Sequence, residues 1–216
     1  MPYVRHNLMT FDPEKRDAMM SVLNTGLDRV NDIPGLRAVR VHFDTAQGAD
    51  NRLCISGFYD DKQAAEAAQR RVKADLSTLS EFVVGEPAVR EGDIIWSFDA
   101  DGAPSGRQVI PGYMRHTTVS FNPSKLDAFL AYADSTVGTL KSIPGLRRIR
   151  IATVKGPSQL YRSEDRITVS SAFDSREASD AALEQNASIW AGMAEFMADD
   201  PERRIVAGDL VYAYSR

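Results

Sequence analysis

Two histidines occupy the same place in two similar stretches, His6 in "VRHNLMTFDP" and His116 in "MRHTTVSFNP". An imidazole titrates near neutral pH, so either can accept a proton or donate a hydrogen bond to a ligand. Each is also suited to a structural part, with its ring nitrogens satisfied by neighbouring groups. Arg40 and His42 stand two apart in "LRAVRVHF", and Arg150 takes the place of Arg40 in "LRRIRIATV", where Ala152 replaces His42. A guanidinium presents a planar fork of donors that fits a carboxylate or phenolate. On a strand it also serves as an edge charge or an ion-pair partner. Trp96 in "GDIIWSF" and Tyr212 in "GDLVYAY", with Phe98 and Tyr214, either line a pocket or fill core. The catalytic candidates are therefore His6 and His116. The ligand-binding candidates are Arg40, His42, Arg150, Trp96 and Tyr212. Three histidines and no Cys/His/carboxylate set at ligand spacing point to no metal. No phosphate-cradling glycine loop, nucleophile elbow or nucleotide fingerprint occurs, and no cofactor is expected.

The elements that must position these residues are written twice. His6 and His116, Phe11 and Phe121, Pro13 and Pro123, Lys15 and Lys125, and Asp17 and Asp127 are each 110 positions apart, as are "IPGLRAVRV" and "IPGLRRIRI". The offset becomes 114 between "RLCISGFYD" and "RITVSSAFD", and 116 between Gly92 and Gly208. Drift confined to loops is the mark of a duplicated domain. The expected boundaries are 1–99 for the first half, 100–112 for a linker rich in Gly, Pro and Asp, and 113–216 for the second half.

Each copy reads as βαββαβ. Asp12-Pro13 and Asn122-Pro123 are helix starts, in which a side-chain oxygen satisfies free amides and proline presets the first helical dihedral. Met19, Val22, Leu23, Leu27 and Val30 then form a one-sided stripe, and Pro34-Gly35 ends the helix. Strands are expected at 36–43, 53–59 and 93–98, with an Ala-rich helix from about Asp61. This is the ferredoxin-like split unit, with both helices on one face of an antiparallel sheet. Alternation assigns Asn7, Met9, Val39, Val41, Leu53 and Ile55 to the helix-facing side. It assigns His6, Arg40, His42, Cys54 and Ser56, and in the second copy His116, Arg150, Thr168 and Ser170, to the other side. Two such faces closing on each other would make a barrel with a partly polar interior.

The bulk numbers set limits. The 216 residues are 43% apolar, enough for one large or two small cores. A net charge of −4 and a pI near 5.4 argue against nucleic-acid or anionic-membrane partners. The single cysteine, Cys54, excludes an internal disulfide and reads as a small buried strand residue in a reducing compartment. "MPYVRHNLMTF" has no apolar run long enough for the expected core of a signal peptide, and no stretch reaches the ~18 apolar residues of a membrane span. A cytoplasmic location is expected.

The Arg-His first strand, the Pro-led helix, the Ile-Pro-Gly turn and the βαββαβ unit resemble the dimeric α/β barrel superfamily. The likeness is greatest to stress-responsive A/B barrel domains and antibiotic-biosynthesis-monooxygenase-like proteins, here as a tandem fusion. The resemblance implies an α+β fold in which two ferredoxin-like units pack sheet to sheet as an intrachain pseudo-dimeric barrel. It implies a small hydrophobic or aromatic ligand and a cofactor-independent monooxygenase or a cyclase- or isomerase-like enzyme. The alternative is a non-enzymatic stress-responsive or ligand-binding barrel, and the fused chain is open to pairing again as a homodimer. Two departures narrow the field. The cyclases pair the strand histidine with a second one on the second helix, and that position falls near Ala74 and Ser188 here. Haem-degrading members combine a first-strand Asn with a His and a Trp, but Asn7 faces the helices, no histidine follows His116, and Trp190 stands alone. The first half, which alone brings two histidines and an arginine to one face, is expected to hold the working pocket.

Overall fold

The computed structural model describes residues 1–216 except 47–50, 73–76, 101–105, 109–111, 155–163 and 199–201. The first copy runs β1 (Tyr3–Thr10), α1 (Arg16–Leu27), β2 (Leu36–Phe43), β3 (Arg52–Tyr59), α2 (Lys62–Arg71) and β4 (Ala88–Asp99). A short strand β5 (Gly106–Gln108) follows inside the stretch expected to be linker. The second copy runs β6 (Tyr113–Ser120), α3 (Leu126–Ser135), α4 (Val137–Lys141), β7 (Leu146–Val154), β8 (Arg166–Phe173), α5 (Arg176–Gln185), α6 (Ala187–Met193) and β9 (Arg203–Ser215). The Ala74 position lies outside the described residues. None of the described helices is long and apolar enough to cross a membrane.

The repeated motifs build repeated local structure. The Asp12 carboxylate and the Asn122 side-chain oxygen each accept an amide two residues on, from Glu14 and Ser124, at 3.1 Å. The following proline opens a 3-10 turn that runs into α1 or α3. The Pro-Gly turns set Gly35 and Gly145 at φ of 72° and 75°, where a side chain is strained. A Cβ at these glycines would lie 2.6 Å from Ala64 Cβ and 2.7 Å from Ala178 Cβ, so the first turn of α2 or α5 packs directly on bare backbone.

Two long strands are each used twice. The first half of β4 pairs with β1, and its second half pairs with β7. The first half of β9 pairs with β6, and its second half pairs with β2. The hydrogen-bonded order is β2-β3-β1-β4-β7-β8-β6-β9, and β9 returns to β2, so eight antiparallel strands close as a barrel. The chain accordingly divides into unit 1 (Met1–Asp93, Pro104–Ile110, Leu210–Arg216) and unit 2 (Ile94–Ala103, Pro111–Asp209).

The register shifts between Ile94 and Trp96 on β4, and in the β2–β9 pairing between Val41 and His42. An inserted residue reverses which face the later side chains take. Trp96 and Phe98 therefore join the helix-facing side of unit 2, and Tyr212 and Tyr214 that of unit 1. Each unit has its own core between sheet and helices. Met19, Leu23, Val41 and Leu53 centre one, and Phe129, Phe121, Ile167 and Met193 centre the other. Phe129 is fully buried, with Phe121 and Phe196 ring centroids at 5.4 and 5.8 Å.

Candidate functional site

On the helix-free face of unit 1, pairing sets His6 beside Ser56, and Ser56 beside Arg40. His6 Nδ1 and Ser56 Oγ are 2.8 Å apart, and burial first, then the nearby Arg90 and His42, push the imidazole down to about 3. His42 Nδ1 lies 3.2 Å from the Phe43 carbonyl, and burial pushes this ring down to about 4. Both are therefore neutral at neutral pH, since a buried charge loses its hydration. Cys54 is buried in the same row, its thiol pushed up to about 11 by burial, which leaves it a poor nucleophile. On unit 2, His116 Nδ1 lies 2.8 Å from Ser170 Oγ, repeating the His6–Ser56 pair.

The two arginines repeat a task as well. Arg40 donates from Nη1 to the carbonyls of Tyr214 and Val39, and from Nη2 to Ser215 Oγ. Arg150 donates from Nη1 to the carbonyls of Phe98 and Ile149, and from Nη2 to both oxygens of Asp99. Tyr214 and Ser215 are the repeat mates of Phe98 and Asp99. Each guanidinium thus clasps the end of the long strand shared by the two units.

Two pockets lie on the other side, between sheet and helices. In unit 1 a pocket is lined by Asn7, Val22, Leu27, Val39, Ile55 and Leu79. Tyr212 is not on its wall; its hydroxyl donates to the Leu27 carbonyl at 3.1 Å, as a core residue. In unit 2 a partly open pocket has a cavity of about 70 Å³. Trp96 and Trp190 both line it, and so does Tyr132. Trp96 Nε1 donates to Asp134 Oδ1 at 2.8 Å, and the Tyr132 hydroxyl donates to the Ile189 carbonyl at 2.9 Å, which fixes both rings. Tyr132 can reach that carbonyl because residue 192 is glycine, whose added Cβ would lie 2.2 Å from the hydroxyl. The Arg203 guanidinium sits 5.4 Å from the Trp190 ring.

Of the residues singled out from sequence, Trp96 reaches a pocket wall. His6, His42, Arg40, His116 and Arg150 lie on the helix-free face, and Tyr212 in the unit 1 core. The polar members of the unit 2 pocket, Arg115, Thr136, Ser171, Ser179 and Asn186, were not anticipated. Among the described lining residues there is no Asp, Glu, His, Lys or Cys. A ligand here meets aromatic and aliphatic walls, one guanidinium, hydroxyls and one amide.

No family model and no curated protein matches the chain. Among solved structures it is similar to a candidate monooxygenase of Fusobacterium nucleatum subsp. nucleatum, with TM-score 0.77 and 10% identity over 100% of this chain and 94% of that one. A candidate monooxygenase of Lactobacillus acidophilus gives TM-score 0.71 and 12% identity over 99% and 96%. An anthrone oxidase-like protein gives 0.66 and 17% over 99% and 93%. Identities this low establish the fold, which is the dimeric α/β barrel with both halves in one chain.

Proposed function

We propose that the chain binds a small hydrophobic or aromatic molecule in the pocket of unit 2 and oxidises it with molecular oxygen, without a bound cofactor. The observation that carries this reading is the aromatic-walled pocket itself. Its wall is mostly apolar and aromatic with a few polar groups, as small-molecule sites require. The second unit, rather than the first, is then the working half. Neighbours described as monooxygenases and as anthrone oxidase-like support the choice of reaction by analogy of fold. In such a reaction a ring methylene and O2 become a carbonyl and water, and the substrate supplies the electrons.

A wall without a described carboxylate or histidine favours a substrate acidic enough to ionise with little help. The same observation favours the competing reading, a ligand-binding barrel with no chemistry. A role for His6 and His116 as proton carriers would require the ligand to reach the opposite sheet face. The reading also takes the cytoplasm as the place of action, a small molecule as the partner, and a second copy of the chain as a permitted one, with no role for nucleic acid or membrane.

Oxygen uptake with anthrone, a ring methylene between two aromatic rings, separates the enzyme from the binder. Uptake matched by carbonyl formation above the spontaneous rate, without added metal, flavin or haem, is expected. Binding of anthrone with no excess uptake would leave the ligand-binding barrel.

A further inference from the structure

The unit 2 pocket differs from its repeat mate in a directed way. On β1, Arg5 Nη1 donates to Gln69 Oε1 at 2.6 Å and lies 3.3 Å from Glu91 Oε2. Its mate on β6 is Arg115, but the mates of Gln69 and Glu91 are Leu183 and Ala207. Both partners of the guanidinium have become aliphatic. The Arg115 side chain makes no hydrogen bond or ion pair among the described residues, and its Nε is buried without a partner. The groups whose charge reaches it are Tyr113, Arg203 and Asp180. Asp180 is exposed and lies 3.8 Å from Arg176, while Arg203 stacks on Trp190.

Polar groups have meanwhile been added on the wall. Ser171, Ser179 and Asn186 stand where the first copy has Gly57, Ala65 and Val72. Ser179 is 1% exposed, and its Oγ and Asn186 Oδ1 are buried without a partner. Ser171 sits directly across from Arg115 in the β6–β8 register. Ser179 in α5 and Asn186, which caps its C-terminus, lie seven residues apart, about two turns or 10 Å along the helix axis. A buried polar atom without a partner costs stability, so several of them round one cavity mark groups reserved for something that enters it. A guanidinium asks for a planar two-oxygen acceptor, and an amide oxygen asks for a donor.

We infer that the unit 2 pocket is built for an aromatic carboxylic acid bearing a hydroxyl group. The carboxylate takes the fork of Arg115, the ring lies between Trp96, Tyr132 and Trp190, and the hydroxyl donates to Asn186 Oδ1. This rests on the reading that the same pocket is the ligand site. Loss of Gln69 and Glu91 equivalents then has a purpose, because either would compete with the ligand for the guanidinium.

Calorimetric titration of the full chain with 3-hydroxy-2-naphthoate and with 2-naphthol tests it. The wild type should prefer the naphthoate by roughly tenfold or more, the scale of a charge-assisted hydrogen bond. Arg115→Leu should pull the ratio of the two affinities towards one. Leu183→Gln, which restores a first-copy partner to Arg115, should lower the same ratio and decides the matter if Arg115→Leu does not fold. Equal affinities in the wild type, or a preference surviving in the folded variants, would overturn the carboxylate while leaving a ring-binding pocket. Binding of neither probe would overturn the pocket reading along with it.

Discussion

Lowering the pH from 7 to 5 should weaken the fold through two buried histidines held neutral. His6 and His42 are held down to about 3 and about 4, from an ordinary 6.5, chiefly by burial. In the unfolded chain they protonate near 6.5, so between that value and 3–4 the unfolded state binds more protons than the folded one. The stability of the neutral rings is thus fully present above 6.5 and is lost as pH falls towards 4. Over the interval from 7 to 5 each ring loses about 2 kcal/mol, and the pair about 4 kcal/mol. That is a large part of the ~5–15 kcal/mol of a typical domain. With a urea slope of about 2–3 kcal/mol/M, the unfolding midpoint should fall by roughly 1.5–2 M. Urea titrations followed by circular dichroism at pH 7, 6 and 5 measure this directly, and His6→Asn should remove about half of the pH dependence. A midpoint unchanged between pH 7 and 5 would refute the burial argument for both rings.

Gly145→Ala should cost about 2 kcal/mol or more, because φ of 75° strains the new side chain and its Cβ would meet Ala178 at 2.7 Å; thermal unfolding by calorimetry checks it. Cys54, buried and with its thiol pushed up to about 11, should resist a water-soluble disulfide reagent in the native protein and react at once in denaturant.

The fold was legible because it is written twice. The N-cap prolines, the Pro-Gly turns and the period-two strands each recur in register, and each recurs as structure. The doubling of β4 and β9 was not legible, since nothing in "GDIIWSF" or "GDLVYAY" marks where a strand changes partner. The shifts beside Ile94 and Val41 leave no signature in residue type, yet they put Trp96 and Tyr212 on the helix side. The histidines and arginines drew attention as chemical groups; in the structure His6–Ser56 and His116–Ser170 pair across strands, and Arg40 and Arg150 donate to the ends of the long strands. Arg115 was overlooked because it matches Arg5. The difference lies at Leu183 and Ala207, and becomes visible once the sheet and α5 show which residues share a wall.

The chain's two tryptophans, Trp96 and Trp190, both line the unit 2 pocket. A nitrogen-15 correlation spectrum of the labelled protein therefore contains two indole signals, which Trp190→Phe assigns. Titration with 3-hydroxy-2-naphthoate should move both indole signals along one saturating curve, with little change at the amides of the helix-free face around His6 and His116. Saturable binding that leaves both indoles unmoved, or that instead shifts the strand amides around the two histidines, would contradict the pocket assignment.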